Sequence, residues 1–275
     1  MNTPTSPTIT FIGGGNMASA IVGGLLRQGH PASAVQVVEP FDEQRAKFAQ
    51  QFPGVSLLAE SNGLQEPSDL VVWAVKPQTF KAAALASQPH LAGALHLSVA
   101  AGITSDSISA WLQTQRIVRA MPNTPALVGL GMTGLFARDG ASTADRALVE
   151  TVVKTTGELV WVATEEQLDA VTALSGSGPA YVFYFLEAMR DAGARMGLPP
   201  EVAYQLAVGT FVGAATLAQR SEDPPQTLRE RVTSKGGTTY AALTSMESAG
   251  VKAKFEEALF AAQKRAEQLG REFGS

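Results

Sequence analysis

Residues 8–18 read TITFIGGGNMA, and this stretch decides the fold of the chain. A strand-prone run, residues 8–12, leads directly into three glycines, and a helical pattern begins at Met17. Gly13, Gly15 and Ala18 occupy the small-residue positions of the dinucleotide-binding fingerprint. They permit a tight turn, a close approach of backbone to a pyrophosphate, and close packing of helix on sheet. The sequence therefore predicts a nucleotide site at the start of this helix, whose free N–H groups attract anions.

Composition excludes several classes of function. The 275 residues suffice for one large domain or two ordinary ones, and 45% are hydrophobic. Cysteine is absent, which excludes disulfides and zinc–thiolate sites. The net charge of −4 argues against nucleic acid as a partner. Neither a signal-peptide pattern nor a membrane-length apolar run is visible, so we expect a soluble, cytoplasmic protein. No cluster of His or carboxylates has metal-ligand spacing, and we expect no metal.

Short apolar runs that alternate with helical patterns predict a doubly wound, mostly parallel sheet. We predict strands at residues 8–12, 35–38, 55–58, 70–75, 95–99 and 117–120. In such sheets ligands bind beyond the carboxyl ends of the strands. Four of these ends carry small, polar or proline-containing segments, namely residues 13–18, 74–77, 100–102 and 121–125. We therefore predict that all four line one crevice.

Glu39 ends the second predicted strand, about 20 residues past the glycines, where an acid commonly binds the adenosine ribose hydroxyls. That role would favour NADH over NADPH, because a carboxylate repels a 2′-phosphate. The alternative is a helix-capping or solvated acid before Phe41 and Asp42.

Beyond about residue 165, every predicted element is a helix. The helix that begins at residues 199–200 and runs to about residue 220 is almost uncharged and carries Gly209 and Gly213. A helix that is apolar on nearly all sides must be buried on several of them, and a second copy of the chain is the economical partner. We therefore predict a Rossmann domain at residues 1–164, followed by an all-helical substrate-binding and dimerisation domain at residues 165–275.

Four motifs stand in order along the chain: AVKP at residues 74–77, MPNTP at 121–125, SGSGPAY at 175–181 and VTSKGGTT at 232–239. Together they resemble the motif set of pyrroline-5-carboxylate reductases, and the resemblance extends from about residue 8 to about residue 270. The last motif is the most specific. It departs from the family at Lys235, where proline is usual, and a lysine there loosens the turn and adds a charge.

The resemblance implies an enzyme of proline biosynthesis that reduces L-1-pyrroline-5-carboxylate to L-proline with NADPH or NADH. It also implies a homodimer that assembles into larger rings, with substrate bound at the dimer interface. The cofactor contacts that it implies are Gly13, Gly14, Gly15, Asn16, Met17, Ala74, Val75, Lys76, Pro77 and Ala101. Lys76 could instead be an ordinary solvated lysine at a strand end. Glu165 matches a position of the substrate site, and a charged first helical turn is its alternative.

The last motif precedes a helical pattern and suits a substrate carboxylate. Its candidate residues are Ser234, Gly236, Gly237, Thr238 and Thr239, here called the carboxylate clamp. Backbone N–H groups and hydroxyls would hold the anion. A helix cap is the alternative, although two adjacent glycines exceed what a cap needs. Thr239 is the candidate to hydrogen-bond the ring nitrogen, and at most it relays a proton from water.

Two further residues are candidates for the nicotinamide end of the cofactor. Asn123 could hydrogen-bond that region or could end its strand through an Asx-turn. Ser175 opens a glycine-rich segment that superficially suggests a nucleophilic serine, but His30, His90 and His96 all lie away from the predicted crevice, so a triad is not expected. A tight helix start that approaches the nicotinamide is the better interpretation.

Two other classes share this architecture. A β-hydroxyacid dehydrogenase or another imine reductase is one alternative, but such dehydrogenases need a lysine early in the second domain. Residues 180–218 contain none. The other is a non-enzymatic dinucleotide-binding protein, which would not need the carboxylate clamp. Fold alone does not separate the three hypotheses.

Overall fold

The computed structural model describes residues 6–274. Contacts divide the chain into two compact units. The first, here called the Rossmann unit, runs to Ser177 and takes up the chain again from Ala262; the second, the helical unit, is Gly178–Ala261. The functional boundary between residues 164 and 165 stays a prediction. None of the helices in the described part of the chain combines the length and the apolar character that a membrane crossing requires.

One eight-stranded sheet forms the centre of the Rossmann unit. Its strands are β1 (Ile9–Ile12), β2 (Val35–Val38), β3 (Ser56–Leu58), β4 (Leu70–Trp73), β5 (Leu95–Ser98), β6 (Ile117–Met121), β7 (Gly131–Ala137) and β8 (Gly157–Trp161). Their order is β3-β2-β1-β4-β5-β6-β7-β8, and only the β6–β7 pair is antiparallel. The mostly parallel sheet is thus confirmed. The order reverses between β1 and β4, which is where such sheets bind ligands.

Helices cover both faces of the sheet because its strands are apolar on both sides. The helices of the Rossmann unit are α1 (Asn16–Arg27), α2 (Asp42–Gln51), α3 (Pro77–Ser87), α4 (Ser105–Leu112), α5 (Thr143–Val153) and α6 (Gln167–Val171). Side chains of α1, α2 and α5 pack on one face, and those of α3 and α4 pack on the other. A turn of π-helix, Thr172–Gly176, follows α6.

Strands β7 and β8 were not predicted from the sequence. β7 contains two glycines and no strict apolar alternation, and β8 is a short run that begins at Gly157 with φ +144°. The register of β7 on β6 joins Val118 to Ala137 and Met121 to Gly134. Pairing with β6, rather than local preference, makes a strand of this segment.

The helical unit contains α7 (Gly178–Arg195), α8 (Pro200–Arg220), α9 (Pro225–Arg231), α10 (Thr238–Ser248) and the first part of α11 (Val251–Phe273). The helical character predicted past residue 165 is thus confirmed. α7 and α8 pack closely because Gly193 faces Ala203, where an added Cβ would lie only 2.6 Å from the Cβ of Ala203. Phe255 packs edge-on against the rings of Tyr181 and Phe185.

A buried histidine lies on β5 of the Rossmann unit. Nε1–H of Trp73 donates a hydrogen bond of 3.1 Å to Nδ1 of His96, and His96 is only 3% exposed. Burial, and to a lesser degree the charge of Arg116, lowers the pKa of His96 to about 4. The folded state therefore holds this imidazole neutral at pH values where an unfolded chain protonates it.

Acid is expected to weaken the fold through His96. Between the ordinary pKa of 6.5 and the folded value of about 4, only the unfolded state binds the proton, so lowering the pH favours unfolding. The free energy of unfolding should fall by about 3 kcal/mol over that interval through this group. We expect His96→Asn, whose amide oxygen still accepts from Trp73, to flatten this part of the pH profile in denaturant titrations. His90→Asn, at an exposed position, should leave it unchanged.

Candidate functional site

The glycine turn between β1 and α1 has the geometry of a phosphate-binding turn. Gly13 has φ +98°, and a Cβ there would lie 2.7 Å from the carbonyl oxygen of Ala74. Gly15 has an extended backbone and, among the described residues, nothing within 4 Å of an added Cβ. Of the side chains that the structure describes, none caps α1. Its first turn, which includes Asn16 and Met17, contains no acidic residue. The N–H groups of that turn are free to bind an anion.

The neighbouring strand ends lie at the same edge of the sheet. β1 and β4 are paired in register, and Ala74 follows β4 directly beside Gly13. Lys76 is exposed just before α3, which begins at Pro77. Val75 lies between Ala74 and Lys76 and is half-buried, and Ala101 follows β5. These positions fit a dinucleotide stretched across the switch point between β1 and β4.

Glu39 lies beside the glycine turn, but its carboxylate is directed at backbone. Oε2 accepts a hydrogen bond of 2.9 Å from the N–H of Gly14, and Oε1 accepts one of 3.1 Å from the N–H of Phe41. The residue is 7% exposed. Burial excludes a solvated acid, whereas the bond to Phe41, the residue that precedes α2, fits the helix-capping alternative. The predicted ribose contact of Glu39 stays a prediction.

Asn123 and Ser175 are joined in the Rossmann unit. Nδ2 of Asn123 donates to the hydroxyl and the carbonyl oxygen of Ser175, at 3.2 and 3.3 Å. Oδ1 of Asn123 accepts from the N–H of Met132 at 2.9 Å. The amide thus ties the end of β6 to the start of β7 and to the π-helical turn that carries Ser175. Turns of π-helix are frequent at functional sites.

Glu165 lies on the face of the sheet that α4 covers. Its carboxylate accepts hydrogen bonds of 2.7 Å from Nη1 of Arg119 on β6, and of 2.5 Å from both the N–H and the hydroxyl of Ser105. Arg119 is 7% exposed, and its Nε has no partner among the described residues. These bonds tie β6 to the start of α4. In the described chain no hydrogen bond joins Glu165 to another predicted site residue, and its substrate role stays a prediction.

The carboxylate clamp lies at the start of α10 in the helical unit. Gly236 has φ +73°, and the N–H of Gly237 donates to the carbonyl oxygen of Ser234 at 3.0 Å. Over the residues described, no side chain caps this helix, and Ser234, Thr238 and Thr239 are exposed. The first N–H groups of α10 therefore lack the hydroxyl partners that the helix-cap alternative requires.

Two residues with clear structural roles, Arg119 and Gln44, were not predicted from the sequence. Arg119 is a charge inside an apolar strand, and that position alone signals a buried partner. Gln44, on α2, donates a hydrogen bond of 2.6 Å from Nε2 to the carbonyl oxygen of Gly14. The sequence holds no comparable signal for Gln44, because glutamine is an ordinary residue on an exposed helix. No group of three potential metal ligands occurs within residues 6–274.

Comparison with known proteins identifies the class. The family model described as NADP oxidoreductase, coenzyme F420-dependent, matches residues 8–102. The model described as pyrroline-5-carboxylate reductase dimerisation matches residues 165–269. With the sheet order and the glycine turn, these matches define an NAD(P)-dependent oxidoreductase of the Rossmann class with a dimerisation domain.

Sequence similarity to individual relatives extends over nearly the whole chain. Pyrroline-5-carboxylate reductase from Pseudomonas aeruginosa is 44% identical, over 98% of this chain and 99% of its own. The structure of the Coxiella burnetii reductase is 38% identical with a TM-score of 0.89, covering 96% of this chain and 98% of its own. The NADP-bound Plasmodium falciparum reductase is 27% identical with a TM-score of 0.86, covering 97% and 99%. The chain belongs to the pyrroline-5-carboxylate reductase family.

Proposed function

We propose that this protein reduces L-1-pyrroline-5-carboxylate to L-proline, the last step of proline biosynthesis, with NADPH or NADH as hydride donor. The observation that carries the proposal is the 44% identity to the Pseudomonas aeruginosa reductase over 98% of the chain. The uncapped helix starts of α1 and α10 support it, because the reaction needs one anion site for the cofactor pyrophosphate and one for the substrate carboxylate.

The Rossmann unit binds and orients the cofactor in this proposal. Gly13, Gly14 and Gly15 bring backbone to the pyrophosphate, and Asn16 and Met17 present the first N–H groups of α1. Further contacts come from Ala74, Val75, Lys76, Pro77 and Ala101, and Glu39 acts beside them by holding the N–H of Gly14. Asn123 and Ser175 line the nicotinamide end of the cofactor site. When bound, the reduced nicotinamide supplies a hydride.

The carboxylate clamp binds and orients the substrate. Backbone N–H groups of Thr238 and Thr239 face the substrate carboxylate, with the hydroxyl of Ser234 beside it, and Gly236 and Gly237 form the turn that leads to them. The hydroxyl of Thr239 donates a hydrogen bond to the ring nitrogen. Addition of hydride to the C=N carbon gives the nitrogen an electron pair, and the proton that it takes comes from water, because threonine is too weak an acid. Glu165 is a further substrate contact in this proposal.

Thr239→Ala should weaken the use of substrate and spare the cofactor. Loss of one hydrogen bond to the reacting nitrogen is expected to lower kcat/KM for pyrroline-5-carboxylate by about 10- to 100-fold. The dissociation constant of NADPH, from the fluorescence of the bound nicotinamide, should not change. Thr244→Ala, at an exposed position on the same helix, is the matched control. A loss of NADPH affinity in Thr239→Ala would remove Thr239 from the substrate site.

The reaction itself is tested by its product. The protein, incubated with pyrroline-5-carboxylate and a reduced cofactor deuterated at the transferred position, should form L-proline that carries one deuterium, with one cofactor oxidised per proline. Proline without deuterium, or cofactor oxidation without proline, would exclude the proposed hydride transfer.

Self-association is part of the proposal. The helical unit exposes large apolar side chains that a second copy would cover, among them Phe183, Tyr184, Val212 and Leu217. We infer a homodimer formed through this unit, which can assemble further into a ring of dimers. We also infer a cytoplasmic enzyme without nucleic-acid or membrane partners, in keeping with its net charge of −4.

The functional division is proposed at residues 164 and 165, where the match to the dimerisation family begins. The other two classes of function are disfavoured. Residues 180–218 lack the lysine that a β-hydroxyacid dehydrogenase needs. A cofactor-binding protein without activity would have no use for the exposed clamp.

A further inference from the structure

Both polar backbone groups of Gly14 are held by side chains from outside the glycine turn. Its N–H donates to Oε2 of Glu39 at 2.9 Å, and its carbonyl oxygen accepts from Nε2 of Gln44 at 2.6 Å. The N–H and the carbonyl belong to the two peptide planes on either side of the Gly14 Cα. The two hydrogen bonds therefore fix both backbone torsions of a residue that has no side chain to restrain it.

Glu39 is itself held on two further sides. Its second oxygen accepts from the N–H of Phe41 at 3.1 Å, and its own carbonyl oxygen accepts from Nη1 of Arg45 at 2.6 Å. Each carboxylate oxygen thus already has a backbone donor, and the residue is 7% exposed. The start of α2 is built around this carboxylate.

We propose that Glu39 and Gln44 are positioning residues that brace the glycine turn for either cofactor, and that Glu39 is not the residue that discriminates against a 2′-phosphate. This inference rests on the proposed function, since it concerns the cofactor of that reaction. Peptide geometry links the two hydrogen bonds of Gly14, here called the brace, to the cofactor. Because the Gly14 carbonyl points to Gln44, the N–H of Gly15 in the same trans peptide points the opposite way.

The distribution of charge favours this role over discrimination. A carboxylate repels a 2′-phosphate when its negative charge is directed towards the ligand. Glu39 is buried and satisfied by two N–H donors, whereas the side chains of Asp42 and Glu43 are 92% and 84% exposed. Asp42 pairs with Arg45, and Glu43 pairs with Lys47. The exposed charge at the start of α2 therefore lies on residues other than Glu39.

The test compares Glu39→Gln and Gln44→Met with Glu43→Gln, which removes the same charge from an exposed position on the same helix. Dissociation constants of NADPH and NADH are measured by nicotinamide fluorescence, and KM for each cofactor and for pyrroline-5-carboxylate is measured by turnover. We expect Glu39→Gln and Gln44→Met to weaken both cofactors by about tenfold, with the ratio between them kept within about threefold. The KM of pyrroline-5-carboxylate and the affinities of Glu43→Gln should not change.

Two results would overturn the inference. One is a shift of the NADPH-to-NADH ratio by about tenfold or more in Glu39→Gln, which would make Glu39 the discriminating residue whatever the result for Gln44→Met. The other is unchanged affinity for both cofactors in Gln44→Met, which carries the test alone if Glu39→Gln fails to fold. Failure of the proposed reaction is distinguishable, because it would abolish turnover in the unaltered protein while the binding measurements still report on the brace.

Discussion

Gly15→Val is expected to abolish cofactor binding while the protein stays folded. The backbone of Gly15 is extended, with φ −78°, and in the part of the chain that the structure describes nothing lies within 4 Å of a Cβ at this position. The fold therefore accepts a side chain there, but a bound pyrophosphate does not. We expect the dissociation constant of NADPH to rise at least about 100-fold, a loss of about 3 kcal/mol, with no change in Tm.

Gly13→Ala, in the same turn, is expected to lower the stability of the protein, whereas Gly15→Val is expected to lower its affinity for the cofactor. Gly13 has φ +98°, and its Cβ would lie 2.7 Å from the carbonyl oxygen of Ala74. This variant should lose about 2 to 3 kcal/mol of stability from backbone strain and steric overlap. Calorimetry and NADPH titration of both variants separate the two effects. A Gly15→Val protein that binds NADPH within about threefold of the original would contradict the assigned path of the cofactor.

Glu165→Gln is expected to destabilise the Rossmann unit strongly. The change leaves the buried guanidinium of Arg119 without its ion-pair partner and removes charge from the bonds to Ser105. Loss of one member of a buried pair costs about 3 to 5 kcal/mol, which lowers Tm by about 10 °C or more. Asp169 lies near Arg119, but burial raises the pKa of its carboxyl, so it is a weak substitute.

The same variant decides whether Glu165 contacts substrate. Assayed well below its Tm, Glu165→Gln should show a raised KM for pyrroline-5-carboxylate if it is a substrate contact, and an unchanged KM if its role is only to hold Arg119 and Ser105. Glu166→Gln, exposed and next in sequence, is the matched control for charge. A Tm equal to that of the unaltered protein would contradict the buried ion pair as a source of stability.

The features of this protein that the sequence predicts are those set by short stretches of residues or by the topology of a parallel sheet. β2 was predicted with its observed ends, because an apolar run between polar segments is readable within a few residues. The glycine turn was predictable because only glycine tolerates the backbone of Gly13. The strand ends follow from topology, since parallel strands bring their carboxyl ends to one edge.

The rest depends on partners distant in sequence. β7 is a strand because β6 lies beside it, and its glycines weaken any local signal. The position of Glu39 was predictable, but the direction of its carboxylate was not, because that direction follows from the N–H groups of Gly14 and Phe41. The ion pair between Arg119 and Glu165 joins residues 46 apart in the chain, and no local pattern specifies it.

Reduction of a cyclic imine is measured by the initial rate of loss of reduced-nicotinamide absorbance with pyrroline-5-carboxylate. NADPH and NADH are run side by side, and a 3-hydroxy acid with oxidised cofactor is run in the reverse direction. We predict rapid turnover of pyrroline-5-carboxylate and none of the hydroxy acid, as reduction of a cyclic imine requires. Protein that binds NADPH but leaves pyrroline-5-carboxylate unreduced, or that oxidises the hydroxy acid instead, would contradict it.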